Sequence, residues 1–299
     1  MRTRFALPAL AMVAALSLTG CVNNSPVASS TTPKASDNAV AVDAAAAAHL
    51  PDAIKTAGKL IIGVDASYPP NESKDDAGNP IGWDVDLADA MAAKLGLTVE
   101  WKVSSFANII PSITAGTMNL GVSSFTDNLE REQQVDFVNY YTAGILWASP
   151  KGKTVDPDNA CGLTVVVQTA TVEDTDELPA KSDACVKAGK AAITVLKFDK
   201  QDEGTNALAL GRADAMSADS PITEYAVAQS QGKLQIAGKS FDVAPYGIAV
   251  AKNSNGLVDA VQAALQSMVD DGTYKKILDQ WGVASGALTK ITINAASKG

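Results

Sequence analysis

Histidine is nearly missing from this 299-residue chain: the single copy, His49, lies in a low-complexity stretch. That scarcity disfavours His-based catalytic triads, His-rich metal sites and most general acid–base enzymes. Cysteine occurs only three times, and no G-x-G-x-x-G, P-loop or Cys/His cluster appears, so no metal, nucleotide or redox cofactor is expected. Beyond the N-terminus no apolar run approaches the ~20 residues of a membrane-spanning helix, which excludes a polytopic membrane protein. Positive charge is also scarce, with 24 basic against 33 acidic residues and a formal charge of −9. Without Arg2 and Arg4, the only charges in the first 20 residues, 22 basic residues face 33 acidic ones, a net of −11. Such a chain is a poor electrostatic match for nucleic acid or anionic lipid. What is present is ordinary globular usage, 46% hydrophobic and 19% charged, enough for a sizeable core in one or two domains.

Arg2 and Arg4 precede an apolar run over 5–18 that ends in Leu18-Thr19-Gly20-Cys21. A basic start, a short apolar stretch and small residues at its end describe a secretory signal over 1–20. The tetrapeptide resembles a bacterial lipobox, which implies cleavage before Cys21 and lipidation of its thiol and amino group; more than one acyl chain gives stable anchoring. Residues 22–50 are rich in Ala, Ser, Thr, Asn and Val and predict a flexible tether reaching roughly 30 Å on average. Cys161 and Cys185 remain, and export favours an oxidised pair. Closing that loop is worth roughly 3.5 kcal/mol in the chain-entropy model.

From Lys59 the pattern changes. The spacing predicts a strand over 59–64 and a helix over 83–96, with Asp84 as its cap, Leu87, Met91 and Leu95 on one face, and Gly96 at its end. A strand over 98–103, a short helix over 107–115 and a strand over 119–122 follow. This order predicts an α/β domain with a mostly parallel sheet. It then partly repeats, with strands over 163–167 and 213–216 and a helix over 203–210. Gly116-x-x-Asn119 stands five residues before Ser124 as Gly211-x-x-Asp214 stands five before Asp219, and Val64-Asp65-Ala66-Ser67-Tyr68 parallels Val167-Gln168-Thr169-Ala170-Thr171. Two such matches in the same order point to two related α/β lobes, and chance similarity is the competing reading because short G-x-x-[ND] matches are common. Residues 145–150 and 241–250 are the expected crossings between them, and two amphipathic helices over 257–268 and 274–281 are expected to pack back on the first lobe.

Ligands of open α/β sheets bind beyond the carboxyl ends of the strands. The four best strands end in small polar clusters around Asp65, Ser124, Gln168 and Asp219, and Arg131 follows the second behind Asp127, an expected helix cap. A guanidinium holding a carboxylate and a carboxylate on the other lobe holding an ammonium suit an α-amino acid. Each residue also has a structural reading: Asp219 suits a cap before Ser220-Pro221, Arg131 suits a surface pair with Glu130 or Asp136, and Tyr68 and Phe106 suit a core.

Residues 63–72, the run Gly82-Trp83-Asp84-Val85-Asp86-Leu87-Ala88, Ile109-Ile110-Pro111, residues 123–137 and Gly272-Thr273-Tyr274 together resemble the family 3 extracellular solute-binding proteins of polar amino-acid ABC importers. The resemblance covers about 60–282 in order, and Trp281-Gly282-Val283 with the cysteine pair resembles a lipoprotein subgroup. It implies a two-lobed periplasmic-binding-protein type II fold, each lobe a mostly parallel sheet flanked by helices, joined by two hinge crossings. The expected layout is signal peptide 1–20, lipidated cysteine and tether 21–50, first lobe 51–147 and 244–299, and second lobe 148–243. By position, the resemblance implies that Arg131 holds the ligand carboxylate and Asp219 its ammonium. Ser124 and Thr126 would contact both groups, the Thr171 amide the carboxylate, Phe106 and Tyr68 the ligand body, and Asp65 and Gln168 the side chain. Asn71 departs from the family's usual aromatic, Leu129 from a proline, Ala170 from a glycine and Val172 from a polar residue.

The expected protein is thus a monomeric, non-enzymatic receptor. It is exported, lipid-anchored at the outer face of the cytoplasmic membrane, and passes a polar amino acid to an ABC permease and its ATPase. An amino-acid dehydratase on the same scaffold is the competing reading, and Glu173 is the nearest residue for its acid. Ser230-x-x-Lys233 has the spacing of a Ser/Lys nucleophile, but Gly232 breaks the helix that would align the pair. A sensory module that hands its closed form to a signalling partner is the third reading.

Overall fold

The computed structural model describes residues 40–298, so the expected signal peptide, Cys21 and the first part of the expected tether lie outside the described residues. The elements begin with α1 (Ala44–Ala48), α2 (Asp52–Ala57), β1 (Lys59–Val64), β2 (Ser73–Lys74), β3 (Pro80–Ile81), α3 (Trp83–Lys94), β4 (Thr98–Val103), α4 (Phe106–Thr114) and β5 (Leu120–Gly121). They continue with β6 (Val135–Pro150), β7 (Thr164–Gln168), α5 (Leu178–Lys187), β8 (Thr194–Phe198), α6 (Gln201–Ala209), β9 (Ala215–Asp219) and α7 (Ser220–Gln229). The end of the chain supplies β10 (Leu234–Ala251), α8 (Leu257–Asp270), α9 (Thr273–Trp281) and β11 (Ala287–Ile293).

Nine of these strands form one sheet in the order β4-β1-β5-β10-β6-β9-β7-β8, with β11 on β6, and β2 and β3 pair with each other apart from it. β4, β1 and β5 are mutually parallel, and so are β8, β7 and β9. The long strands β6 and β10 run antiparallel between these two groups and belong to both. Register shifts fall between Ala237, Phe241 and Ala244 and again at Tyr246, where the paired strands pass from one group to the other. Bulges bend strands, so these mid-strand shifts are the hinge. The result is a two-lobed α/β molecule whose two crossings are adjacent antiparallel strands.

The internal repeat is physical. Asn119 Oδ1 accepts from the Ile61 amide at 2.8 Å, and Asp214 Oδ2 accepts from the Thr164 amide at 2.7 Å. Each side chain ties the approach to one strand to the start of its parallel neighbour, in one lobe and then in the other.

Three local expectations need correction. The tether does not run free to residue 50: Asp43 caps α1 through the Ala45 and Ala46 amides, and Ala46 and Leu50 are buried in the core with Leu257, Ala260 and Leu265 of α8. Asp84 does not cap α3. The cap is Gly82, and the Pro70 and Asn71 carbonyls accept the first helical amides. At Gly82 φ is +138° and a Cβ would lie 1.9 Å from the Asn71 carbonyl oxygen, so only glycine lets the 68–72 turn press against the helix. Asp127 caps nothing either. Asn128 Oδ1 accepts the Arg131 amide at 2.8 Å, while Asp127 binds Asn139 and the Ala295 amide.

Candidate functional site

The carboxyl ends of β1, β5, β7 and β9 converge on a small, nearly filled pocket between the lobes. Eight of the nine residues expected to meet ligand line it: Tyr68, Phe106, Ser124, Thr126, Arg131, Gln168, Thr171 and Asp219. Ser123, Val172 and Glu173 line it as well. Asp65 does not. It sits one layer behind, accepting from Ser67 Oγ at 2.6 Å, the Phe106 amide at 2.9 Å and Gln168 Nε2 at 3.0 Å. The last bond joins the two lobes. Burial raises the Asp65 pKa above the ordinary carboxylate value.

Arg131 opens a single 3₁₀ turn over Arg131–Gln133. Its guanidinium spans the cleft, donating from Nη1 to the Thr126 carbonyl at 2.8 Å and from Nη2 to the Ala170 carbonyl at 2.9 Å. It lies 5.4 Å from the Phe106 ring centroid and 5.8 Å from that of Phe125, within cation–π range. The surface pairing open at the sequence level is not made: Asp136 binds Lys252 at 2.9 Å. Phe106 and Phe125 stack at 4.5 Å, so the guanidinium rests on a fixed aromatic floor. Burial pulls the Arg131 pKa down, and Glu173 and Asp219 pull it back up.

Asp219 stands at the N-terminus of α7 but makes no side-chain cap bond. Its Oδ2 accepts from the Tyr68 hydroxyl at 2.8 Å, a bond between residues 151 apart in the chain. Burial raises its pKa to about 6, against the opposing effects of Tyr68, Tyr246 and Arg131. Glu173 lies close by, 1% exposed, with neither carboxyl oxygen hydrogen-bonded. Burial, then the Asp219 charge, pushes its pKa well above the ordinary value. Thr171 offers a backbone amide whose one internal partner, the Gln168 carbonyl, lies at 3.5 Å, the edge of bonding range.

Two cleft turns use a left-handed residue other than glycine, Ser124 (φ +52°) and Ala170 (φ +67°). Such a conformation costs about 1–2 kcal/mol and must be held by its surroundings. A carboxylate holds each: the Ser124 amide donates to Asp84 Oδ2 at 3.2 Å, and the Ala170 amide to Asp174 Oδ2 at 3.0 Å. Behind the second wall, Cys161 and Cys185 are joined by a disulfide with a Cα separation of 5.5 Å. Among the described residues no His/Cys/Asp/Glu group could hold a metal ion, and no helix is long and apolar enough to cross a membrane.

The sequence profile of the bacterial extracellular solute-binding proteins, family 3, matches residues 60–284. This chain belongs to that family. The family is one of binding proteins, described as extracellular. The chain is 41% identical over 249 residues to the arginine-binding protein ArgT of Corynebacterium glutamicum, covering 83% of this chain and 82% of the relative. Among solved structures it resembles an ancestral arginine-binding protein bound to arginine, at 34% identity and a TM-score of 0.69, covering 75% of this chain and 98% of that one. An ancestral arginine-binding protein bound to glutamine is matched at 35% identity and a TM-score of 0.68, with 76% and 98% covered.

Three features of the site carry no binding signature in the sequence. Glu173 suits only the acid of the enzyme reading at that level, and its isolation inside the cleft cannot be told from a run of acids such as Glu173-Asp174-Thr175-Asp176. The support for Ser124 comes from Asn71, Glu72 and Asp84, some 40 to 53 residues away in the chain. The placement of Asp65 behind Gln168 depends on how the lobes meet.

Proposed function

We propose that this protein is the substrate-binding lipoprotein of an ABC importer for L-arginine. It is held at the outer face of the cytoplasmic membrane through Cys21 and delivers its ligand to the permease in the closed, two-lobed state. The observation that carries this reading is the charge balance of the cleft. Arg131 is its one cationic side chain, whereas Asp219 and Glu173 line it and Asp65 lies directly behind it. An α-amino acid supplies one carboxylate for Arg131 and one ammonium for Asp219, which leaves one buried acid site, Glu173, whose ionisation burial disfavours in the empty cleft, without a cation. A second cationic group on the ligand matches it, and a guanidinium presents planar paired donors suited to carboxylates and to Gln168. Buried charges are tolerated when paired, so ligand and closure stabilise each other. The name of the relative that is 41% identical, an arginine-binding protein, points the same way.

Thr171 and Ser124 complete the cradle in this reading, with the Thr171 amide on the ligand carboxylate and the Ser124 hydroxyl on its ammonium. Tyr68 and Phe106 enclose the ligand body, and Thr126 orients Arg131. The test is a thermal-shift screen of protein unfolded and refolded to strip carried ligand, against the twenty amino acids. L-Arginine at about 100 times its Kd adds roughly 2.7 kcal/mol of stability, a shift of several degrees. Arg131→Ala and Asp219→Asn should each abolish that shift, since removing one member of a buried ion pair costs about 3–5 kcal/mol. A shift with a neutral or acidic amino acid and none with arginine would overturn the reading.

A further inference from the structure

Beneath Ser124 lies a fully buried chain of polar groups that no contact with a ligand explains. Glu72 and Asp84 are both 0% exposed, and their carboxyl groups are within hydrogen-bonding reach of each other. Glu72 Oε1 accepts from Ser124 Oγ at 2.8 Å. Asp84 Oδ2 accepts from the Tyr140 hydroxyl at 2.7 Å and from the Ser124 amide at 3.2 Å, with Ser124 Oγ farther off at 3.5 Å. The remaining oxygens, Glu72 Oε2 and Asp84 Oδ1, have no other partner. Two buried acceptors side by side are costly unless a hydrogen lies between them. Asn71 completes the chain: its Nδ2 donates to Ser124 Oγ at 2.8 Å, and its Oδ1 accepts from Trp83 Nε1 at 2.6 Å.

We infer that Glu72 is protonated on Oε2 and donates to ionised Asp84, and that this acid pair with Asn71 fixes the Ser124 hydroxyl so that the site reads an N–H donor on its ligand. The inference rests on the amino-acid reading of the cleft. The side on which the proton sits follows from the surroundings. Asp84 has the Tyr140 hydroxyl, the Ser124 amide and the first turn of α3, whose dipole favours an anion. Glu72 has one hydroxyl and no cation, and Asp84 and Asp65 are the charges facing it. Burial and the Asp84 charge raise its pKa well above the ordinary value. A serine hydroxyl has one hydrogen and two lone pairs. Glu72 takes the hydrogen and Asn71 one lone pair, so the lone pair left at the cavity wall accepts and cannot donate. Asn71, Glu72 and Asp84 are positioning residues, and they select an ammonium over a group that only accepts.

Three measurements test this. The first compares Glu72→Gln, whose amide can donate to Asp84 and whose oxygen can accept from Ser124, with Glu72→Met, which does neither. The Gln variant should lose a few-fold in arginine affinity and the Met variant at least about tenfold more. The second compares L-arginine with its analogue lacking the α-amino group. Glu72→Met should weaken arginine at least about fivefold more than the analogue, whereas general loosening of the fold would weaken both alike. The third needs no ligand: the infrared spectrum at neutral pH should contain a protonated-carboxyl C=O band that is absent in Glu72→Gln and retained in Glu173→Gln. Equal losses in the Gln and Met variants, or no band lost in Glu72→Gln, would overturn the inference. Wild-type protein that ignores arginine yet loses the band in Glu72→Gln would overturn the ligand reading and uphold the proton.

Discussion

The two walls of the cleft solve one problem in two ways. On the first wall the amide of left-handed Ser124 is held by Asp84, and on the second the amide of left-handed Ala170 is held by Asp174. A carboxylate buried for this purpose must be compensated. Asp84 is wholly enclosed and has Glu72, Tyr140 and the start of α3 around it. Asp174 is 6% exposed and pairs with Lys197 at 2.6 Å, a lysine whose own side chain is 54% exposed. The first wall therefore compensates with a shared hydrogen inside the core, and the second with a solvated cation at its edge. Asp219 shows a third solution. It has the Tyr68 hydroxyl and no cation bonded to it, and its pKa stands at about 6. In the proposed complex its cation is the ligand. Supporting carboxylates are satisfied within the protein, whereas the binding carboxylate is left in need.

Removing each supporting acid in turn should separate the two walls. Asp84→Ala strands the Tyr140 hydroxyl, the Ser124 amide and Glu72 in the core, and should cost about 3–5 kcal/mol in urea unfolding. Asp174→Ala loses one amide bond and frees a lysine to water, so about 1–2 kcal/mol is expected. Equal losses would show that the two walls are not supported differently.

Asp219 gives a pH effect of intermediate size. Its pKa in the fold, about 6, lies above the ordinary value of 3.8, so the ligand-free fold holds the proton more tightly than the unfolded chain. Its contribution to stability therefore falls as pH rises from about 4 to 6 and is flat above. For a cationic ligand the sign reverses, because binding requires the ionised form. The Asp219 part of the arginine affinity should be constant above pH about 6 and fall by up to about tenfold per unit below it, and that fall should be flattened in Asp219→Asn. Titration calorimetry between pH about 4.5 and 8 reads this directly. The smallest effect belongs to Lys197→Met: half-exposed ion pairs contribute about 1 kcal/mol or less, and the loss should shrink further in high salt.

Much of this molecule is legible in its sequence. The regular elements β1, α3, β4 and α8 follow from apolar spacing, and strand ends rich in small polar residues mark the cleft. Of the hinge strand β6 only the end is legible, as the crossing expected over 145–150; nearly every residue from Val135 to Ser149 is buried, so the strand shows no alternation. Strand β11 escapes the sequence pattern for a related reason. Its place on β6 depends on ties such as the Asn294 side chain to the Phe137 amide, 157 residues apart. Helix α1 hides in an alanine run, and only Asp43 marks its start. Asp84 and Asp127 look like caps because acids commonly precede helices, and only tertiary partners such as Tyr140 and Ala295 reveal their work. The departures from the family pattern are informative: Asn71 bonds Ser124 and Trp83, and Ala170 takes a backbone angle that a glycine adopts freely.

In the proposed complex the cleft takes a ligand with a second cationic group. The most direct measurement is calorimetric titration of ligand-stripped protein with L-arginine and with L-citrulline, which has nearly the same shape and replaces the guanidinium with a neutral urea. Arginine should bind at least about 100-fold more tightly, as expected when a charged partner of buried carboxylates is lost. Equal affinities, or a preference for citrulline, would contradict the claim.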